Sequence, residues 1–131
     1  MRPFAIDELD HVVLRCTEPA KMLTFYTEVL GLVEERRLDA IGLVQLRAGR
    51  SMVDLVDVDD PAPPTRRNMD HLCLDVTAAS MTSVVEYLAA AGIEPLTEPT
   101  RTYGAHGFGT SIYVHDPEGN VVELKMDADG D

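Results

Sequence analysis

The sequence predicts an α+β fold built from two βαβββ modules, and three observations predict it. Leu9-Asp10-His11-Val12-Val13-Leu14 returns 60 residues later as Met69-Asp70-His71-Leu72-Cys73-Leu74, so the chain repeats itself. Each copy is followed by an apolar stripe at helical spacing that ends on a glycine. After each stripe the pattern changes to short extended segments separated by turn residues. Module one is expected at about 7–58 and module two at about 69–126. A linker is expected at 59–68, where Pro61, Pro63 and Pro64 favour extended chain.

In the first strand, alternation sets His11, Val13 and Arg15 on one face and Val12 and Leu14 on the other. Thr17-Glu18-Pro19 reads as a helix start, with Thr17 as cap and proline in the first turn. Met22, Phe25, Tyr26, Val29 and Leu30 then follow the i, i+3, i+4, i+7, i+8 rule, and Gly31 stops the helix. Three strands are expected after it, at about Leu32–Leu38, Ile41–Leu46 and Ser51–Asp57. In the second copy, His71 and Cys73 share a face. Its helix opens near Thr77, carries Met81, Val84, Val85 and Leu88, and stops at Gly92. Three more strands are expected at about Ile93–Leu96, Thr110–His115 and Val121–Met126, the last two joined by a turn at Asp116-Pro117-Glu118-Gly119-Asn120. Glu98–Gly109, with Gly104, Gly107 and Gly109, reads as a long loop that is either a lid over a site or plain surface. Tyr103 and Arg101 could reach substrate from it; His106 could close over substrate or face solvent.

The chain has 131 residues, with 23 acidic against 11 basic side chains and a formal charge of −12. No basic stripe exceeds the pairs Arg36-Arg37 and Arg66-Arg67, which argues against nucleic acid or anionic membrane as partner. No apolar run approaches the ~20 residues of a spanning helix, and Met1–Ala5 does not open a signal peptide, so a cytoplasmic protein is expected. Cys16 and Cys73 lie outside any Cys-x-x-Cys motif and are expected as reduced thiols. A chain of this size needs no metal merely to hold its core together.

The repeat places chemically capable side chains at matched points. His11 and His71 sit on the first strand of each module. Asp54 and Glu123 sit on the last, each on a face shared with apolar neighbours: Met52 and Val56 beside Asp54, Val121 beside Glu123. A carboxylate among apolar side chains is costly unless paired or coordinated. Each of the four, taken singly, also fits a hydrogen-bonded structural residue. Together they suit a divalent cation, which accepts imidazole and carboxylate in one set.

At this point the sequence resembles the vicinal oxygen chelate superfamily of glyoxalases, extradiol dioxygenases, fosfomycin-resistance enzymes and bleomycin-binding proteins. The resemblance runs from Leu9 to Met126. It rests on Leu9-Asp10-His11, on Phe25-Tyr26-Thr27-Glu28-Val29-Leu30-Gly31-Leu32, and on the segment from Ser111 through Asp116-Pro117-Glu118-Gly119-Asn120 to Glu123-Leu124. It implies paired modules whose curled mixed sheet surrounds a metal-containing cleft, with His11, Asp54, His71 and Glu123 as ligands. The metal so implied is Zn, Ni, Mn, Co or Fe. A small-molecule substrate chelated through neighbouring oxygens and a homodimer are implied with it.

Within that superfamily, glyoxalase I resembles this chain in its four ligands and in an arginine four residues after the first histidine, here Arg15, which there helps hold substrate. The chain departs at Asp54, where glutamate is usual, and at Val58, where an asparagine is usual. The resemblance then implies a lyase or isomerase in which Glu123 moves a proton between adjacent carbons while the metal holds an enediolate. If Asp54 does not ligate directly, His11, His71 and Glu123 form the two-His-one-carboxylate set of Fe(II) dioxygenases, and Tyr113 matches a tyrosine found there. No histidine lies between Val12 and Asp70, which weighs against that alternative. Val13 stands where fosfomycin transferases carry a threonine. A non-catalytic, bleomycin-binding type of protein is the third reading; the acidic charge fits it and the retained ligands do not.

Overall fold

The computed structural model describes residues 5, 8–59, 67 and 69–127. The chain divides into two compact units, Met1–Pro61 and Ala62–Asp131. Each carries one four-stranded mixed sheet, as the α+β reading of two βαβββ halves expects. Most of the expected linker, 60–66 and 68, lies outside the described residues.

The first unit runs β1 (His11–Cys16), α1 (Pro19–Thr24), β2 (Val33–Leu38), β3 (Leu43–Ala48) and β4 (Ser51–Asp57). The sheet order is β1-β4-β3-β2, with β1 and β4 parallel and the other pairs antiparallel. A parallel neighbour requires a crossover, which α1 begins. Pro19 starts the helix as expected, but Glu18 takes the cap position and no side chain caps it. Beyond Thr24 the backbone widens into a π turn at Phe25–Val29. There the Thr27 hydroxyl donates to the Leu23 carbonyl at 2.6 Å, a bond of the kind that loosens a helix. Phe25 and Tyr26 are both buried, their rings edge-on at 5.0 Å. Gly31 ends the turn at φ 86°, which a side chain would strain. A 3-10 turn at Asp39–Ile41 takes the place of the start expected for the third strand. The core gathers on one sheet face from Leu14, Cys16, Leu46, Val53 and Leu55 with Met22, Phe25 and Tyr26.

The second unit runs β5 (Leu72–Val76), α2 (Met81–Ala90), β6 (Thr100–Gly104), β7 (Gly107–His115) and β8 (Val121–Asp127). Its order, β5-β8-β7-β6 with β5 and β8 parallel, repeats that of the first. Leu74, Met81 and Leu88 lie on the apolar side with Ile112, Val114, Val122 and Leu124, all but the half-buried Leu74 fully covered.

Three expectations are corrected here. The helix opens at Met81, not near Thr77, because Ser80 caps it by accepting from the Ser83 amide at 3.1 Å. Ile93–Leu96 is not a strand: the Ile93 amide folds back to the Leu88 carbonyl, and only Leu96 joins the sheet, donating to the Tyr113 carbonyl at 2.7 Å. Glu98–Gly109 is not a loop but mostly a hairpin, because Thr100-Arg101-Thr102-Tyr103 alternate as a strand and Ala105-His106 turn the chain. Its glycines serve that pairing. Gly107 adopts φ 91° at the turn, and a Cβ on Gly109 would overlap the Met126 carbonyl oxygen. The Asp116–Asn120 turn forms as expected: Asp116 Oδ1 accepts from the amides of Glu118 and Asn120, each at 2.9 Å.

Candidate metal centre

In each unit the sheet face away from the core brings a histidine beside a buried carboxylate; in the second unit Asp75 and Asp127 share that face. In the first, β1 and β4 register sets Val13 beside Asp54 and His11 beside Met52, so His11, Val13, Arg15, Met52, Asp54 and Val56 share that face. Asp54 is only 2% exposed. Gln45, opposite it on β3, donates from Nε2 to Oδ2 at 3.1 Å. Oδ1 is buried, and among the described residues it has no hydrogen-bond partner. Leaving a charged oxygen so costs about 1–3 kcal/mol or more, unless the position is meant for a cation. His11 Nδ1 lies 2.7 Å from Asp10 Oδ1. That hydrogen bond raises the imidazole pKa above its usual 6.5; desolvation opposes the rise and the Asp54 charge adds to it.

The second unit repeats the pairing with tighter contacts. Glu123, 6% exposed, lies beside Cys73 on β5 and opposite Tyr113 on β7. Its Oε1 is 3.1 Å from His71 Nε2. Its Oε2 accepts from the Ser111 hydroxyl at 2.6 Å and from Thr102 at 3.3 Å. His71 Nδ1 is held by Asp70 Oδ1 at 2.7 Å, as His11 is by Asp10. Tyr113 meets the His71 ring edge-on at 5.7 Å. Burial and then the Glu123 charge raise its phenol pKa. The same two causes push the Cys73 thiol up to about 11.

These contacts fit a divalent cation. An aspartate on Nδ1 fixes the imidazole tautomer and leaves Nε2 as the ligating atom, the usual support of a metal-bound histidine. His71 Nε2 and Glu123 Oε1, an ion-pair contact at 3.1 Å, are the two atoms that would hold a cation in this unit. In the first unit the unpartnered Asp54 Oδ1 is the matching vacancy in the hydrogen bonding. In each unit the pair of one imidazole and one carboxylate is of the donor type that suits Zn, Ni, Mn, Co or Fe.

Of the remaining expected site residues, Tyr113 joins the second pair and Arg15 shares the face of the first, with its side chain exposed. Tyr103 and Arg101 do not join. They alternate with Thr102 along β6 and so occupy the other face of the sheet, where Tyr103 is 75% exposed against Phe108 and the Arg101 guanidinium stacks on Phe108 at 3.6 Å. His106 stands at the hairpin turn near Asp75 and Asp127 at 3.8 and 3.6 Å, and His115 is exposed at the end of β7. Sequence reasoning missed Asp10, Asp70, Gln45, Ser111 and Thr102. The first two were legible in the repeated Asp-His; the other three depend on register.

The comparisons concern the family and the fold. The family model of the Glyoxalase/Bleomycin resistance protein/Dioxygenase superfamily matches residues 8–124. The chain is 30% identical over 126 residues to the Virulence protein STM3117 of Salmonella typhimurium, covering 92% of this chain and 85% of that protein. The crystal structure of that protein superposes with a TM-score of 0.77 at 28% identity, covering 95% of this chain and all of the other. The Glyoxalase domain-containing protein RDO1 of Mycosarcoma maydis is 28% identical over 94% of this chain and 70% of its own length. Lactoylglutathione lyase from Agrobacterium tumefaciens shares the fold, with a TM-score of 0.68 at 23% identity over 95% of this chain and 96% of that one. With repeat, sheet order and sequence match in accord, the chain belongs to the Glyoxalase/Bleomycin resistance protein/Dioxygenase superfamily.

Proposed function

We propose that the protein is a divalent-metal-dependent lyase or isomerase of the glyoxalase type, acting on a small substrate with oxygens on neighbouring carbons. The ligands in this reading are His11, Asp54, His71 and Glu123, one histidine and one carboxylate from each unit. The observation that carries it is Asp54: a buried carboxylate with one oxygen hydrogen-bonded to Gln45 and the other without a partner. A bound cation supplies the positive charge that stabilises oxyanions as a neighbouring C–H is ionised.

The chain supplies the rest. Glu123, the buried carboxylate beside His71, takes the proton from one carbon and returns it to the adjacent one. Asp10 and Asp70 hold the imidazoles in one tautomer. Tyr113, against His71 and Glu123, bounds the substrate on that side, and Arg15 offers a cation for an anionic substrate group.

The contact of Tyr113 with His71 favours a second reading, an Fe(II) dioxygenase using His11, His71 and Glu123 alone. The free oxygen of Asp54 supports the four-residue set instead. Metal analysis of protein purified without chelator, followed by assays of a methylglyoxal hemithioacetal against oxygen uptake with catechols, separates the two. About one equivalent of metal per site and turnover of the hemithioacetal are expected. Protein that takes up no divalent ion, even on anaerobic reconstitution, and binds cationic drugs instead would establish the non-catalytic reading. A homodimer belongs to the same proposal and is checked by sedimentation equilibrium.

A further inference from the structure

In both units the candidate carboxylate is presented through one oxygen only, and in both a polar side chain from the neighbouring antiparallel strand occupies the other. On β4 it is the Gln45 amide that holds Asp54 Oδ2 at 3.1 Å. On β8 it is Ser111 that holds Glu123 Oε2 at 2.6 Å. The second arrangement is the stronger. Ser111 is fully buried, and the Thr102 hydroxyl lies 2.6 Å from it and 3.3 Å from Glu123 Oε2. Ser111 gives its one hydrogen to Glu123 Oε2, so the Thr102 hydroxyl hydrogen is shared between Ser111 Oγ and the more distant Glu123 Oε2. Ser111 lies diagonally across the β7–β8 ladder, two residues from the direct partner Tyr113. A carboxylate held through one oxygen is fixed in orientation and presents the other oxygen more readily to an ion. Its remaining oxygen, Oε1, is then the one turned to His71 Nε2.

We propose that Ser111, supported by Thr102, is a positioning residue that makes Glu123 a one-oxygen ligand through Oε1, with Gln45 in the corresponding place for Asp54. The proposal rests on the metal reading above and adds to it which oxygen acts and what holds it. Metal sites in general lose about 10–100-fold in affinity when such an outer partner is removed.

The test uses cobalt(II), read by chelator competition and by its visible absorption, on the full chain. Ser111→Ala should bind cobalt about 10–100-fold more weakly than the parent and shift the absorption bands, because a released carboxylate turns both oxygens to the ion. Ser111→Thr, which keeps a hydroxyl, should recover most of the affinity, which a purely structural role would not require. Thr102→Val, on the edge strand, should lose a few-fold. Parent-like affinity and bands in Ser111→Ala, with cobalt bound normally by the parent, overturn this inference and leave the metal reading intact. Should Ser111→Ala fail to fold, unchanged affinity in Thr102→Val overturns it equally. A parent that binds no cobalt removes the metal reading and this one together.

Discussion

At the scale of single residues, Asp54 is buried, whereas Cys73 is an exposed residue with only its thiol partly desolvated. Asp54 places a carboxyl group in a covered position where, among the described residues, one oxygen has no hydrogen-bond partner, so its removal should help the metal-free fold and harm cation binding. Asp54→Asn is expected to melt at or above the parent in the presence of chelator, since Gln45 still finds an oxygen to bond. It should also lose tenfold or more in zinc affinity, measured by competition titration. A variant that melts lower and binds zinc as well as the parent contradicts this. Cys73 carries its thiol pKa at about 11, pushed up by burial and by the Glu123 charge. Because only the thiolate reacts, iodoacetamide labelling of the folded, metal-free protein at Cys73 should be slow at neutral pH and rise towards pH 11. Unfolded protein should follow the ordinary thiol value of 9.0. Equal pH profiles for the folded and unfolded chain would refute the assignment.

At the scale of elements, the hairpin β6–β7 shows how glycine can misdirect a reading. Three glycines within 104–109 suggested a loop, but they lie in the hairpin, and close pairing demands glycine at Gly109 alone. Gly104 lies under the Lys125 side chain, Gly107 turns with positive φ, and Gly109 sits against the β8 backbone. Gly109→Ala is therefore expected to destabilise by about 1–3 kcal/mol, as overpacking of a tight contact does. Chemical denaturation measures it; a change below a few tenths would show that β8 yields there. Thr77 misled the helix boundary in the same way. It has the right chemistry for a cap, but so does Ser80, whose position relative to Ser83 lets the side chain reach an amide. Capping residues nominate ends; the backbone path chooses among them.

At the scale of the whole molecule, the formal charge of −12 includes the carboxylates beside the histidines of each unit, Asp10 and Asp54 in the first and Asp70 and Glu123 in the second. A cation that binds the folded chain alone stabilises it by mass action, about 2.7 kcal/mol at a free concentration 100 times Kd. Zinc or cobalt should accordingly raise the melting temperature by several degrees, chelator should reverse the shift, and the double variant His71→Ala, Glu123→Ala should show neither effect. A parent whose melting is indifferent to both ions would count against the metal reading. By itself the sequence determined the two repeated halves and the faces of the first and last strands of each, because these follow from short-range rules: a repeat, a period of two, a period of 3.6. It also named the histidines and carboxylates by their matched places. Only the tertiary structure decided what each of those side chains touches. That Gln45 and Ser111 hold the carboxylates, that Asp54 keeps one oxygen free, and that Tyr103 turns away from Glu123 all depend on strand register. Register is set by pairing between segments distant in the chain, and no local pattern records it.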